Sequence, residues 1–232
     1  MEAARKIIVP LDVSTTPQAL SIVKLLRGRV GMFKIGLQLF SAEGPDGVRQ
    51  IVATGERVFL DLKFHDIPRT VGLAVREAAD LGVAMLNVHV SGGARMVSAA
   101  AEALAVRGGQ RPTLLGVTVL TSLAQDELES IGVRASVVDH VVALARMGQA
   151  AGLDGVVASP HEIDPIKRAC GGRFVVVTPG VRPAGSPADD QRRVMTPADA
   201  VAAGADYLVI GRPILDAADP AASVQAIAGE MS

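Results

Sequence analysis

The sequence predicts an α/β protein of the (β/α)8 class, a TIM barrel, formed as a single domain by residues 1–232. Short apolar runs rich in Val, Ile and Leu recur along the chain, and near-continuous hydrophobicity is typical of parallel strands buried on both faces. Segments with the 3.6-residue periodicity of helices separate these runs. Eight strands alternating with helices over this length indicate one barrel.

The strands are predicted, in order, at residues 6–13, 32–37, 57–63, 85–90, 113–120, 155–159, 174–179 and 207–212. Helical periodicity is clearest in residues 71–82 and 94–106, and several helical segments end at Gly, which readily closes a helix. A doubly wound open sheet is the alternative. That fold usually has a glycine-rich turn after its first strand, whereas this chain has LDVSTTPQ there.

Composition excludes several classes of function. Basic and acidic residues number 23 and 24 and are mixed along the chain, which argues against a nucleic-acid or membrane surface. No apolar run approaches the 18 or so residues of a membrane span, and the first apolar run is too short for a signal peptide. The single cysteine, Cys170, rules out an intramolecular disulfide and fits a reducing cytoplasm. We therefore expect a soluble cytoplasmic protein.

Charged residues occur late in three consecutive strands. Asp61 and Lys63 are two apart in RVFLDLK and therefore share a face of their strand, and Asp12 and Lys34 hold comparable positions in the first two strands. The carboxyl ends of barrel strands meet at one mouth, where catalytic groups of this fold lie. The pattern favours a site of alternating charge, although a self-neutralising ion-pair network would give the same pattern. Asp66 follows on a turn, where it could cap a helix that starts near Thr70.

A phosphate site is predicted at the loops after strands seven and eight, the usual position in this fold. Gly180 and Gly211 allow backbone amides to approach an anion, and Arg182 and Arg212 carry guanidinium groups suited to phosphate oxygens. The polar segment 182–195, rich in Pro and Gly, resembles a surface linker in composition. At this face of a barrel it is more consistent with a lid or binding loop.

The motif DLKFHDIPRTV closely resembles the signature of the orotidine 5′-phosphate decarboxylases, in their shorter bacterial form. The resemblance continues, in order, through LDV, FKIG, NVHVSGG, VTVLTS, VTPGVRP, DQRRVMTP and YLVIGRPI. Its D-x-K-x-x-D core is shared with other phosphate-binding barrels, including 3-keto-gulonate-phosphate decarboxylases and hexulose-phosphate synthases. Those relatives typically hold magnesium with an acidic residue where this chain has Lys34. A magnesium-dependent sugar-phosphate decarboxylase or aldolase is thus the alternative enzyme, and a non-catalytic phosphate-binding barrel is the alternative of another class.

The resemblance implies a carbon–carbon lyase that converts orotidine 5′-monophosphate to uridine 5′-monophosphate without a metal or other cofactor. It implies that Lys63 stabilises the carbanion and donates the proton, that Asp61 lies by the departing carboxylate, and that Lys34 and Asp12 contact the ribose. It further implies a homodimer in which Asp66, Ile67 and Thr70 complete the partner's site. The remaining substrate contacts implied by resemblance are Thr121, Ser122, Pro179, Arg182, Gln191, Gly211 and Arg212.

Overall fold

A computed structural model describes residues 2–105, 111–183 and 195–231. Its eight strands form a closed parallel barrel in which each strand pairs with the next and β8 pairs with β1. The strands are β1 (Ile7–Pro10), β2 (Met32–Ile35), β3 (Val58–Phe64), β4 (Met85–His89), β5 (Thr113–Val117), β6 (Gly155–Val157), β7 (Val175–Pro179) and β8 (Tyr207–Val209). The predicted (β/α)8 barrel is confirmed, and every predicted strand is present.

Several strands end earlier than the sequence predicts. β1 was expected to reach residue 13 and β8 residue 212, yet hydrogen-bonded pairing stops at Pro10 and Val209. The apolar runs continue because Leu11 and Ile210 remain buried beyond the ladder. Apolar residues indicate burial and not strand pairing. An apolar run therefore overestimates the length of a strand when the buried residues continue past its last paired residue.

Helices cover the outside of the barrel. In the described part of the chain they are α1 (Thr16–Leu26), α2 (Leu37–Val52), α3 (Pro68–Asp80), α4 (Ala94–Ala105), α5 (Gln125–Ser130), α6 (Val137–Ala150), α7 (Ile163–Cys170), α8 (Pro197–Ala202), α9 (Arg212–Leu215) and α10 (Pro220–Glu230). The two helices predicted at 71–82 and 94–106 correspond to α3 and α4, with residue 106 outside the described residues. None of the described helices is both long and apolar enough to cross a membrane.

The barrel interior is closed below the mouth by a small apolar cluster. Its buried members come from alternate positions of six strands: Ile8, Met32, Phe59, Met85, Leu115 and Val177. Pairing of Ile8 with Met32 and of Phe59 with Met85 sets these side chains at one level. A larger apolar core lies between the strands and the helices. The inward-facing side chains nearer the carboxyl ends are therefore held over a packed floor, and these carry the charges.

Candidate active site

A cavity of about 330 Å³ opens at the carboxyl-terminal mouth of the barrel. Its floor includes Phe59, Val157 and Val209. The structure brings ten of the residues predicted for the site into its wall: Asp12, Lys34, Asp61, Lys63, Thr121, Pro179, Gly180, Arg182, Gly211 and Arg212. These residues come from both halves of the sequence, and the closed barrel is what brings them together.

Asp61 lies at the centre of a row of four charged side chains, in the order Lys63, Asp61, Lys34 and Asp12. Its Oδ1 accepts a hydrogen bond from Lys63 Nζ at 2.7 Å, and its Oδ2 lies 3.3 Å from Lys34 Nζ. Lys34 Nζ in turn lies 3.6 Å from Asp12 Oδ1. The side chain of Asp61 is only 12% exposed and that of Asp12 is 57% exposed, so the row runs from the interior at Asp61 towards solvent at Asp12.

Asp61 is ionised despite its burial. Burial by itself would raise the pKa of this carboxyl group, but the charges of Lys34 and Lys63 and the hydrogen bonds from Lys63 and Asn87 lower its pKa below the ordinary value. The two ammonium groups are thus held beside a fixed negative charge, and all three side chains are largely buried. Such an arrangement is preorganised to stabilise new negative charge close to the lysines.

β3, the strand that carries Asp61 and Lys63, is irregular at these two residues. β3 and β4 change register between Leu60 and Phe64, which is a bulge in β3. Within it, Lys63 has a φ of 53° and is the one residue other than glycine with positive φ in the described chain. This conformation costs an L-residue about 1–2 kcal/mol, and such strain is concentrated at functional sites. The bulge changes where Lys63 points, so strand alternation alone did not define its geometry.

Asn87 belongs to this cluster and was missed as a candidate. It is completely buried in β4, donates from Nδ2 to Asp61 Oδ1 at 2.7 Å, and accepts at Oδ1 from the backbone amide of Lys63 at 2.8 Å. The sequence did contain a signal, since an amide residue interrupts the apolar strand MLNVHV. A buried amide must find hydrogen-bonding partners, and in this strand they could come only from its neighbours.

The opposite side of the cavity is formed by the loops after β7 and β8. Gly180 has a φ of 79°, which an L-side chain rarely adopts. A Cβ at Gly211 would come within 2.9 Å of the Pro10 ring, so glycine lets this loop pack against the end of β1. The backbone amide of Arg182 donates to the carbonyl of Met195 at 3.0 Å, which joins the two ends of the polar segment 182–195. Residues 184–194 of that segment, including Gln191, lie outside the described residues.

Four predicted site residues are not in the cavity wall. Ser122 follows Thr121 but does not line the cavity. Asp66, Ile67 and Thr70 are exposed on the turn from β3 to α3 and at the start of that helix, and Ile67 is 66% exposed. The alternative role of Asp66 as a cap for a helix near Thr70 is wrong. The helix starts at Pro68 with Ile67 as its N-cap and no capping side chain, because Asp66 Oδ1 accepts the amide of Ile67 instead.

Two histidines lie beside the cluster. The ring centroids of His65 and His89 are 5.3 Å apart. Burial, followed by the neighbouring His65 and Lys63, lowers the pKa of His89 below its ordinary value. A neutral imidazole is therefore favoured at His89, near Lys63, at neutral pH.

No metal site is formed by acidic, histidine or cysteine side chains in the described parts of the chain. Within the cavity, the position between Asp12 and Asp61 that a cation would favour holds the ammonium group of Lys34. A second cation at this position would be repelled by the lysine.

The closed parallel barrel, with paired lysines and aspartates at its carboxyl-terminal mouth, defines a (β/α)8-barrel enzyme. The chain belongs to the orotidine 5′-phosphate decarboxylase / HUMPS family, whose family model matches residues 5–227. The family and the decarboxylase class predicted from the motifs are confirmed.

Relatives and solved structures agree over nearly the whole chain. The chain is 51% identical to the orotidine 5′-phosphate decarboxylase of Geobacter metallireducens, covering 99% of this chain and 97% of the relative. It is 52% identical to the enzyme of that name from Vibrio vulnificus, covering 96% of each. The crystal structure of orotidine 5′-phosphate decarboxylase from Lactobacillus acidophilus superimposes with a TM-score of 0.87 at 36% identity, covering 98% of this chain and 99% of that one.

Proposed function

We propose that this protein converts orotidine 5′-monophosphate to uridine 5′-monophosphate and carbon dioxide, a step of pyrimidine nucleotide synthesis. The observation that carries the proposal is the Lys34–Asp61–Lys63 array, which lies in a cavity of nucleotide-compatible size in a chain about half identical to enzymes of this name. In this proposal residues 1–232 form one catalytic domain. The balance of charge and the lone cysteine support a cytoplasmic location.

The chemical problem is the carbanion left at C6 of the pyrimidine when carbon dioxide departs. This negative charge has no conjugated group to accept it, so an enzyme without a cofactor must stabilise it electrostatically. Lys63 carries an ammonium group on the cavity wall, held by Asp61 at 2.7 Å. In our proposal Lys63 stabilises the developing charge and then donates a proton to C6.

We assign the other three residues of the row of charged side chains to separate parts of the substrate. Asp61 lies near the departing carboxylate in this proposal, and its Oδ1 also pairs with the Lys63 ammonium group at 2.7 Å. Lys34 bridges Asp61 to the ribose, and Asp12, towards solvent, accepts hydrogen bonds from ribose hydroxyls. The electrostatic field is thus set by groups that are already in place before substrate binds, so little reorganisation is needed during reaction.

The phosphate and base are assigned to the rest of the mouth. In this proposal Arg182, Gly211 and Arg212 bind the phosphate, and Pro179 packs by the substrate. Thr121 and Ser122 face the base, and Gln191 links the base to the phosphate. Binding of the phosphate, remote from C6, would supply energy for closure of the predicted lid, most of which (residues 184–194) lies outside the described part of the chain. The cavity wall supports this division because Arg182 and Arg212, which follow β7 and β8, line the same cavity as Lys63 of β3.

We propose that the active form is a homodimer. Asp66, Ile67 and Thr70 are exposed and do not line the cavity of their own chain, although they follow directly on the catalytic strand. A partner subunit could place these residues over its neighbour's cavity. An exposed Ile67 beside a charged residue is also consistent with a surface that is covered by another chain.

The magnesium-dependent sugar-phosphate enzymes remain the alternative because the matched family includes more than one activity. The experiment that separates them compares two substrates with the same purified protein. We expect turnover of orotidine 5′-monophosphate and none of 3-keto-gulonate 6-phosphate, with or without magnesium. Turnover of the sugar phosphate in magnesium, with none of the nucleotide, would overturn the proposal.

A further inference from the structure

The bulge in β3 leaves one residue of β4 opposite three. Leu60 pairs with Leu86 and Phe64 pairs with Val88, so Asp61, Leu62 and Lys63 all lie against Asn87. A regular parallel ladder would satisfy the amide of Lys63 with a backbone carbonyl. Here the side chain of Asn87 replaces that carbonyl, because its Oδ1 accepts the Lys63 amide at 2.8 Å.

The orientation of the Asn87 amide is fixed by its partners. A backbone N–H can only donate, so the oxygen of Asn87 must face Lys63, and the ionised carboxylate of Asp61 can only accept, so the nitrogen must face Asp61. One buried side chain therefore binds both charged residues at the centre of the site. It is fully inaccessible and is not part of the cavity wall, so it does not touch a ligand in the cavity.

We propose that Asn87 is a positioning residue for the decarboxylation. It holds the backbone of Lys63 in the left-handed conformation that aims the ammonium group, and it fixes the Asp61 carboxylate that pairs with this ammonium group. The inference rests on the proposed function, since Lys63 and Asp61 are the groups that it assigns to the reaction.

The role predicts a particular pattern of kinetic change. Displacement of a catalytic group by about 1 Å can cost about a hundredfold in rate. Because Asn87 does not line the cavity, its loss should lower kcat for orotidine 5′-monophosphate and leave KM nearly unchanged. A purely structural residue would instead alter stability, with kcat retained in the folded fraction.

Asn87→Asp tests the hydrogen bond to Asp61 apart from the one to the Lys63 amide. The introduced carboxyl group keeps an acceptor for the Lys63 amide but, when ionised, faces Asp61 with a like charge instead of a donor. At pH 8 we expect kcat to fall about a hundredfold. Two close carboxyl groups readily share one proton, so lowering the pH should restore a donor towards Asp61. The ratio of kcat for Asn87→Asp to kcat for wild type should therefore rise as the pH falls from 8 to 5.

Two controls separate the role of Asn87 from the proposed function and from a general effect of losing a buried polar group. Wild-type turnover in the same assay tests the proposed function separately, so inactive wild type would reject that function and not the role of Asn87 within it. Thr178→Val removes a different fully buried polar group, whose Oγ1 has no hydrogen-bond partner among the residues that the structure describes, and it should keep wild-type kcat. If Asn87→Asp does not fold, Asn87→Ser takes its place, with the same expected loss of kcat at unchanged KM. A pH-independent ratio for Asn87→Asp, or a kcat within threefold of wild type for the folded variant, would overturn the proposal.

Discussion

Lys63 combines an unusual backbone conformation with the chemical role that we propose for it. Its φ of 53° is sterically unfavourable, yet it is kept by hydrogen bonds to Asn87 and Asp61. Strain of this kind persists only where the surroundings over-determine it. The strained backbone of Lys63 thus lowers the stability of the fold but holds the ammonium group in one position. A preorganised electrostatic site requires such a fixed position.

Lys63→Ala should abolish turnover of orotidine 5′-monophosphate, because both the stabilising charge and the proton donor are removed. We expect kcat to fall by at least about 10⁴-fold, while circular dichroism and binding of uridine 5′-monophosphate show that the fold and the phosphate contacts remain.

The matched control is Lys24→Ala, which removes an exposed lysine of α1 remote from the mouth and should leave the rate unchanged. A rate for Lys63→Ala within tenfold of wild type would remove Lys63 from the role assigned to it.

The strands show how closely the barrel is packed. β6 is short and begins at Gly155, which pairs with Val175 of β7. A Cβ at Gly155 would lie 2.2 Å from the carbonyl oxygen of Val175. Backbone of an adjacent strand cannot give way without disturbing the ladder, so glycine is needed here for close approach.

Gly155→Ala should therefore destabilise the protein by about 1–3 kcal/mol or more in urea or thermal unfolding, since it overpacks the junction between β6 and β7. Gly172→Ala is the control. It lies in the turn before β7, and among the described residues a Cβ there would meet no atom within 4 Å beyond its chain neighbours. Equal stabilities of the two variants would show that this contact does not constrain the barrel.

The same strands show what the sequence could and could not predict. Apolar runs and their spacing identified all eight strands, because burial of both faces leaves a direct mark on composition. Late charges in β2 and β3 identified the mouth, because parallel strands bring their carboxyl ends together. The bulge at Asp61–Lys63 and the role of Asn87 were not predicted. They depend on a register shift between two strands, which periodicity within either strand does not encode.

The proposed sharing of active sites between two subunits can be tested only in the dimer. Lys63 lines the cavity, whereas Asp66 lies outside it in the same chain, only three residues later. If Asp66 serves the partner's site, the two defects Lys63→Ala and Asp66→Ala fall in different sites of a mixed dimer. One site then carries both substitutions and the other carries neither.

Each of the two variants alone should be nearly inactive. Mixing them in equal amounts under conditions of subunit exchange should restore about a quarter of wild-type activity, because half of the dimers are mixed and each has one intact site. Mixing Lys63→Ala with itself is the control. Exchange without any recovery would contradict sites shared across a dimer.

The central claim is that the fixed charges of this barrel decarboxylate a nucleotide without help from a metal. Its most direct test is the loss of the ultraviolet band of orotidine 5′-monophosphate on addition of purified protein pretreated with EDTA. We predict complete bleaching, with uridine 5′-monophosphate as the product and a rate that added magnesium does not change. Failure of the chelated protein to turn over the nucleotide, with activity returning on addition of magnesium, would contradict the account.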